Sequence, residues 1–481
     1  MKIDVFGGAG EIGGNMILVT GEKEKFFLDF GKSFSREGEY FAEFVNARKS
    51  NGLKDFLALK LVPWLPGLYR NDYLEHDKLP TSKTPEFDGI IVSHPHLDHT
   101  GYIYLVHESI PIYCSSICKS VLQAIEDTSG SAGDLIRMTR TFGYYTNKTG
   151  GLSRLRYCKD PAIKCIDRDF PVNKSKGKFQ LKGIEGKMFP VDHSIIGASG
   201  YILHIDGKTI AYTGDIRFHG VRGDQTEAFV SAMVSEKIDV LITEGTNVGG
   251  TDKSPITEGQ VEASIMKMIA GAGDKHVFAS FPVRDTDRLM SFYRAAKAAG
   301  RKLAISAGQA YLLDMLSKNK DVEVGEDKDI VKSSDKHLAI YLKKKVYGLI
   351  GDDSVNIAER RSDYESPEAE YVGTANQICW KDVRDDPDGY VMCLDNFSVQ
   401  ELVDIKPKEG SLYIKSTTDP LDVEMEIDWE RMMNWLKLFN IRVEKAHASG
   451  HIFEKELKEI LERVNAKKVI PVHTNHPEWF T

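Results

Sequence analysis

Ser93-His94-Pro95-His96-Leu97-Asp98-His99 places three histidines and an aspartate within six residues. The apolar run Gly89-Ile90-Ile91-Val92 precedes it and reads as a strand. Tyr102-Ile103-Tyr104-Leu105-Val106 follows and reads as helical. A strand ending in H-x-H-x-D-H directs imidazoles toward one point and sets a carboxylate beside them, a donor set suited to two divalent metals. The chain has only 14 histidines in 481 residues, so the cluster is not a by-product of composition.

Working outward, three more apolar runs end in a histidine or aspartate. They are Met188-Phe189-Pro190-Val191-Asp192-His193, Thr209-Ile210-Ala211-Tyr212-Thr213-Gly214-Asp215 and Lys468-Val469-Ile470-Pro471-Val472-His473. The carboxyl ends of strands are where α/β sheets gather ligands. Singly, each is as well read as a strand-end polar residue. Together with the heptapeptide they supply five histidines and two aspartates, enough for two metals.

In these residues the chain resembles the metallo-β-lactamase fold and, within it, the β-CASP nucleases of the ribonuclease J type. The motifs run in order: Asp29 in Leu28-Asp29-Phe30-Gly31, the heptapeptide, His193, Asp215 and His473. The opening Phe6-Gly7-Gly8-Ala9-Gly10-Glu11-Ile12-Gly13-Gly14-Asn15 is similar too, as is Ala446-His447-Ala448-Ser449-Gly450-His451. The resemblance covers Lys2 to His473. It implies an α/β fold, a metallo-β-lactamase αββα sandwich with an inserted β-CASP α/β domain built on a parallel sheet. The expected division is 1–246 for the first part of the sandwich, 247–440 for the insert and 441–481 for the return.

The resemblance also implies roles. His94, His96 and His193 would hold one metal, Asp98, His99 and His473 the other, and Asp215 would bridge them. His451 would be the general acid and Glu244 its carboxylate partner; the bland reading of Glu244 is a cap on backbone amides. Asp29 would orient a metal-binding imidazole, as carboxylates behind such ligands do. His447, Ser449 and Gly450 would receive a phosphate, and Arg288 would either contact phosphate or lie on a helix surface. The expected cofactors are two Zn²⁺, with Mn²⁺ as the alternative. The implied activity is hydrolysis of single-stranded RNA, 5′-to-3′ from a monophosphorylated end with some endonuclease action, in RNA processing or decay. Histidine at position 473 favours RNA. DNA, cut by a repair nuclease on the same scaffold, is the competing substrate. A small-molecule hydrolase is disfavoured by the insert and the His451–Glu244 pair, and an inactive scaffold subunit by the complete ligand set.

Composition agrees with a globular protein of two or three domains: 41% hydrophobic, 28% charged. No run is long and apolar enough for a bilayer. The N-terminus reads as a strand and not as a signal peptide, so a cytoplasmic location is expected. Six cysteines, at 114, 118, 158, 165, 379 and 393, form no C-x-x-C pair and read as reduced thiols. The net charge is −8, yet residues 134–187 hold 13 Lys and Arg against 5 Asp and Glu. That local excess suits a polyanionic substrate or a solvated loop equally.

Further along, residues 31–88 form a long connection holding Trp64, Pro66, Tyr69 and Tyr73, and 128–180 is a second insertion. The glycine-rich opening lacks a following Lys-Ser or Lys-Thr, so it reads as a tight turn beside the metal site and not as a phosphate loop. Beyond Gly250 the pattern becomes regular α/β: a helix from Ser254-Pro255, a strand over 276–281, a helix over 284–299 and a strand over 301–306. Residues 318–375 have no clear pattern. A helix over 429–439, a strand over 441–447, a helix over 453–464 and the final strand over 468–473 complete the chain. Against the family, the chain ends eight residues after His473. Ribonuclease J usually continues for about a hundred more, in a domain that supports its oligomer, so the family's tetramer is not carried over; the partner expected besides RNA is a second copy in a homodimer. Gln309 also stands where an arginine is expected.

Overall fold

The computed structural model describes the chain except for residues 42–44, 130–137, 142, 155–165, 174–176, 182–183, 251–255 and 421–422. Two six-stranded sheets form a sandwich. The first contains Lys2–Gly7, Met16–Thr20, Lys25–Phe30, Gly89–Ile91, Ile112–Ser115 and Val172–Asn173. The second contains Lys178–Leu181, Ile184–Pro190, Ser199–Ile205, Lys208–Tyr212, Val240–Glu244 and Lys468–Val472. Alternation along the strands sends Ile17, Val19, Phe26 and Leu28 inward to meet Tyr201, Leu203, Tyr212 and Ile242. Each such side chain, fully buried, contributes roughly 1.5–3 kcal/mol.

Helices cover both outer faces. Phe229, Val230 and Met233 from Gly223–Glu236 and Leu457 and Ile460 from Glu454–Val464 pack on Ile202, Ala211 and Leu241 of the second sheet. Cys118, Val121, Leu122 and Ile125 of Ser116–Thr128 are buried in the cluster on the first. This is the expected αββα sandwich.

The insert, here the cap, is built on a seven-stranded sheet. Its order is Gln377–Ile378, Leu338–Tyr341, Lys302–Ser306, Tyr390–Cys393, Val277–Ser280, Leu412–Lys415, Arg442–Lys445, and every pairing is parallel. Both faces are buried, as parallel sheets require. Val277, Leu303 and Ile305 join the helices Glu258–Ala270, Thr286–Ala298 and Ala307–Ser317. Phe278, Ala304 and Met392 face Leu402, Met432 and Leu436.

Several boundaries differ from the sequence expectation. The strand Arg442–Lys445 pairs with Leu412–Lys415, so it is the edge of the cap sheet and not the start of the returning sandwich. The crossing back therefore falls after Lys445 and not at 441. Ser254 and Pro255 lie outside the described residues; the helix there begins at Glu258 behind a capping box of Thr257 and Gln260. The helix expected over 429–439 starts six residues earlier, at Val423. Its first turns carry Val423 and Ile427 in exposed positions, which blurs the amphipathic pattern. Gln309 completes the capping box of Ser306 and is buried. Within 31–88, Tyr69 and Tyr73 are core residues, whereas Trp64 is exposed and stacks on Tyr69. Cys114, Cys118, Cys379 and Cys393 are free thiols, while Cys158 and Cys165 lie outside the described residues. Much of the basic segment 134–187 also lies outside them.

Candidate metal centre and nuclease site

Strand direction gathers the site. Asp29, His94, His193, Asp215, Glu244 and His473 each stand at or just beyond the carboxyl end of a strand, and all meet at one rim of the sandwich. His96 to His99 enter on the short helix Leu97–Thr100. Two glycines let the backbone close in. A Cβ on Gly31 would stand 1.7 Å from the Asp98 carbonyl oxygen, and one on Gly13, where φ is +79°, would stand 2.7 Å from Asp98 Oδ2. The glycine-rich opening is thus a turn pressed against the site, as expected.

Asp215 is the hub. Its Oδ2 lies 3.2 Å from His99 Nε2, 3.5 Å from His473 Nε2, 3.6 Å from His94 Nε2 and 3.8 Å from His193 Nε2. Two triads converge on either side. His96 Nδ1 is 3.0 Å from His94 Nε2 and 3.2 Å from His193 Nε2. Asp98 Oδ2 is 3.1 Å from His473 Nε2 and 3.7 Å from His99 Nε2. The residues expected to form two ligand sets thus stand together in two triads, and in each the atoms that could take a metal ion lie within 4.8 Å of one another.

The far side of three of the rings fixes their tautomers. His99 Nδ1 donates to Asp29 Oδ2 at 2.7 Å, which turns Nε2 inward. Asp29 also accepts from the Ser93 amide and hydroxyl, both at 2.7 Å, and from the Tyr212 hydroxyl at 2.5 Å. His193 Nδ1 donates to the Gly450 carbonyl at 2.6 Å. His473 Nδ1 donates to Thr246 Oγ1 at 2.8 Å, and Thr246 donates onward to Glu244 Oε2 at 2.7 Å. Such contacts orient metal-binding imidazoles.

Does this set fit metal ions? Both carboxylate oxygens of Asp215 and Nε2 of His99 are buried without a hydrogen-bond partner among the described residues. Orphaned buried acceptors are costly unless a cation takes them up. Burial holds His94 and His193 well below the usual histidine range and His96 at about 4, so these rings are neutral with a lone pair available. The donor set is nitrogen and carboxylate oxygen, which suits zinc. The residues fit two divalent ions.

His451 stands beside the cluster, 23% exposed, with Nδ1 3.1 Å from Glu244 Oε2 and 3.7 Å from Asp215 Oδ2. Burial opposes its charge, but Glu244 and then Asp215 outweigh it and raise the imidazolium to about 9. Glu244 makes both kinds of contact expected of it, to His451 and to a backbone amide. One oxygen serves His451 and Thr246, and Oε1 accepts from the Ile216 amide at 2.7 Å.

The expected phosphate contacts fare differently. Arg288 is buried, neither facing substrate nor lying on a helix surface. It forms a bidentate pair with Glu258 at 2.8 and 3.0 Å and donates to the Ser416 carbonyl and hydroxyl at 3.0 and 2.6 Å. The Gly450 carbonyl is occupied with His193. Ser449 Oγ accepts from the His451 amide and from Asn247, both at 3.2 Å, so it shapes the turn that carries His451. His447 is half-buried beside Arg288. Thr246 and Tyr212 are the site residues the sequence reading missed. Tyr212 stood inside the run that ends in Asp215 and Thr246 lies two residues after Glu244, but neither a tyrosine nor a threonine has a signature until its partners are known.

Residues 439–478 match the family described as "Zn-dependent metallo-hydrolase RNA specificity domain". This segment holds His451 and His473. Ribonuclease J of Helicobacter pylori (strain ATCC 700392 / 26695) is 25% identical over 260 residues, covering 53% of this chain and 29% of that protein. Ribonuclease J of Mycoplasma genitalium is 22% identical over an alignment covering 98% of this chain and 67% of that protein. The chain thus spans less than a third of the length of the first of these relatives. The crystal structure of a protein of unknown function from Enterococcus faecalis V583 superposes with a TM-score of 0.70 at 19% identity, covering 99% of this chain and 94% of that one. In fold, in ligand set and in its C-terminal segment, the chain resembles the ribonuclease J-like β-CASP metallo-hydrolases.

Proposed function

We propose that the chain is a zinc-dependent ribonuclease that hydrolyses phosphodiester bonds of single-stranded RNA in the cytoplasm. It would proceed 5′-to-3′ from a monophosphorylated end, with some endonuclease action. The observation that carries this reading is the gathering of six further candidate ligand residues around Asp215, with the His451–Glu244 pair beside them. The match to an RNA-specificity segment and to ribonuclease J relatives favours RNA over DNA.

His94, His96 and His193 would hold one ion, Asp98, His99 and His473 the other, with Asp215 between. Bound there, two divalent ions would supply a nucleophilic water at neutral pH and neutralise phosphate charge, with Mn²⁺ as the alternative to Zn²⁺. The protein's own contribution is proton delivery and orientation. His451, charged near neutral pH and held by Glu244 at Nδ1, presents Nε2–H to the leaving O3′ oxygen. Glu244 and Thr246 link that acid to His473, so the acid and a ligand ring are positioned by one hydroxyl. Asp29 keeps His99 in the tautomer that turns Nε2 inward. His447 and Ser449 lie on the chain that leads to His451, where an RNA end would enter.

The test is cleavage of matched single-stranded RNA and DNA oligonucleotides bearing a 5′-monophosphate or a 5′-hydroxyl. Release of mononucleotides from 5′-monophosphate RNA supports the proposal. Equal or faster cutting of DNA overturns it.

A further inference from the structure

The cap holds a cavity that the metal chemistry does not use. It has a volume of about 700 Å³ and opens at the carboxyl ends of four parallel strands, Val277–Ser280, Lys302–Ser306, Leu338–Tyr341 and Tyr390–Cys393. In open parallel sheets this edge is where ligands bind, at the point where strand order reverses. The order reverses here: after Val277–Ser280 the chain runs outward through Lys302–Ser306 and Leu338–Tyr341, then returns to insert Tyr390–Cys393 between the first two. The same edge, at its far end, delivers residues 446–451 to the metal cluster through Arg442–Lys445.

The lining carries unspent positive charge. Arg284 is half-buried at the cavity wall and has no hydrogen-bond or carboxylate partner among the described residues, and burial pushes its guanidinium down. A desolvated, unpaired guanidinium is costly, and an anion relieves that cost. Lys343 also has no carboxylate partner among the described residues; its Nζ donates to the Phe397 carbonyl at 2.9 Å. Of the lining acids, Glu368 is neutralised by a lysine and Asp395 is held by hydrogen bonds, which leaves two cations, Arg284 and Lys343, against the one charge of Asp395. Glu368 pairs with Lys345, and Asp395 accepts from the Phe397 amide and Ser398 hydroxyl. Phe397 is 84% exposed at the rim, so its ring face is open to a stacking partner.

We propose that this cavity binds a nucleotide, with Arg284 and Lys343 receiving the phosphate and Phe397 stacking the base. Two sources share that chemistry: one unit of an RNA strand, or a free nucleoside monophosphate of the kind exonucleolytic cleavage releases. The inference rests on the proposed function only for the strand-borne source.

The test is a titration of the full chain, with metal withheld by EDTA, using uridine 5′-monophosphate and a 5′-hydroxyl RNA hexamer. Saturable binding of uridine monophosphate is expected, weakened roughly tenfold or more by Arg284→Ala and by Phe397→Ala. Phe397 is exposed, so its variant reports on the rim without disturbing the core; Arg284→Lys is expected to recover part of the loss. Parallel weakening of hexamer binding identifies a strand unit. Weakening confined to the monophosphate identifies a free nucleotide. Uridine monophosphate affinity unchanged by both alanine variants, or no binding in EDTA, overturns the proposal. Failure of RNA cleavage in every metal condition would instead overturn the ribonuclease reading and leave this titration standing.

Discussion

Thr246 Oγ1 lies 2.8 Å from His473 Nδ1 and 2.7 Å from Glu244 Oε2. One hydroxyl therefore accepts from a ligand imidazole and donates to the carboxylate that serves His451. Thr246→Val keeps the shape and removes both bonds. Affinity for the ion held by Asp98, His99 and His473 is expected to fall about 10–100-fold, the usual loss when a partner behind a metal-binding ring is removed. Competition against a chromogenic chelator reads this, and Thr246→Ser should restore most of it.

Asp29 makes the equivalent bond to His99 but accepts four hydrogen bonds in all, from a backbone with φ of +55°. Asparagine tolerates that conformation, so Asp29→Asn should fold. It cannot satisfy all four donors, because its amide nitrogen accepts nothing. Thermal unfolding should show a loss of about 1–3 kcal/mol, together with weakened metal binding.

His451→Ala is expected to slow cleavage by roughly 10²–10⁴-fold while the bound metal is unchanged. Rate and metal content, measured on the same preparation, separate the two effects. A fall in metal content of similar size would make His451 a ligand and not the acid.

The seven candidate ligands were legible because each lies in a short local pattern, at or just after the end of a strand. What the sequence could not disclose was contact across long separations. The role of Gly450 depends on His193, 257 residues away. Arg288 looks like any helix arginine until Glu258 and Ser416 close over it. The Arg442–Lys445 strand has the same residue pattern whichever sheet it joins; only its pairing with Leu412–Lys415 assigns it to the cap.

Arg288 is buried, so its replacement should be a stability defect first. Arg288→Ala leaves Glu258 buried opposite a cavity and retains only Arg217 as its partner, at 2.9 Å. A loss of about 3–5 kcal/mol is expected, as for other broken buried pairs. Denaturant unfolding measures it, and Arg288→Met with Glu258→Gln should recover part.

His219 is buried, and burial pushes it down to about 4. Its folded value lies below the ordinary 6.5 or so, so the stabilisation is complete above pH 6.5 and is lost as pH falls toward 4. Relative to His219→Gln, the native chain should lose up to about 3 kcal/mol across that window. Paired denaturant titrations at pH 7 and pH 4.5 test the sign. A difference that does not change with pH would show that His219 titrates alike in both states.

Under the proposed function, RNA hydrolysis depends on two ions gathered around Asp215. Zinc titrated into the metal-free chain, with cleavage of 5′-monophosphate RNA as the readout, tests it most directly. Activity is expected to rise to a plateau at two equivalents per chain. Full activity without added metal, or a plateau at one equivalent, would contradict it.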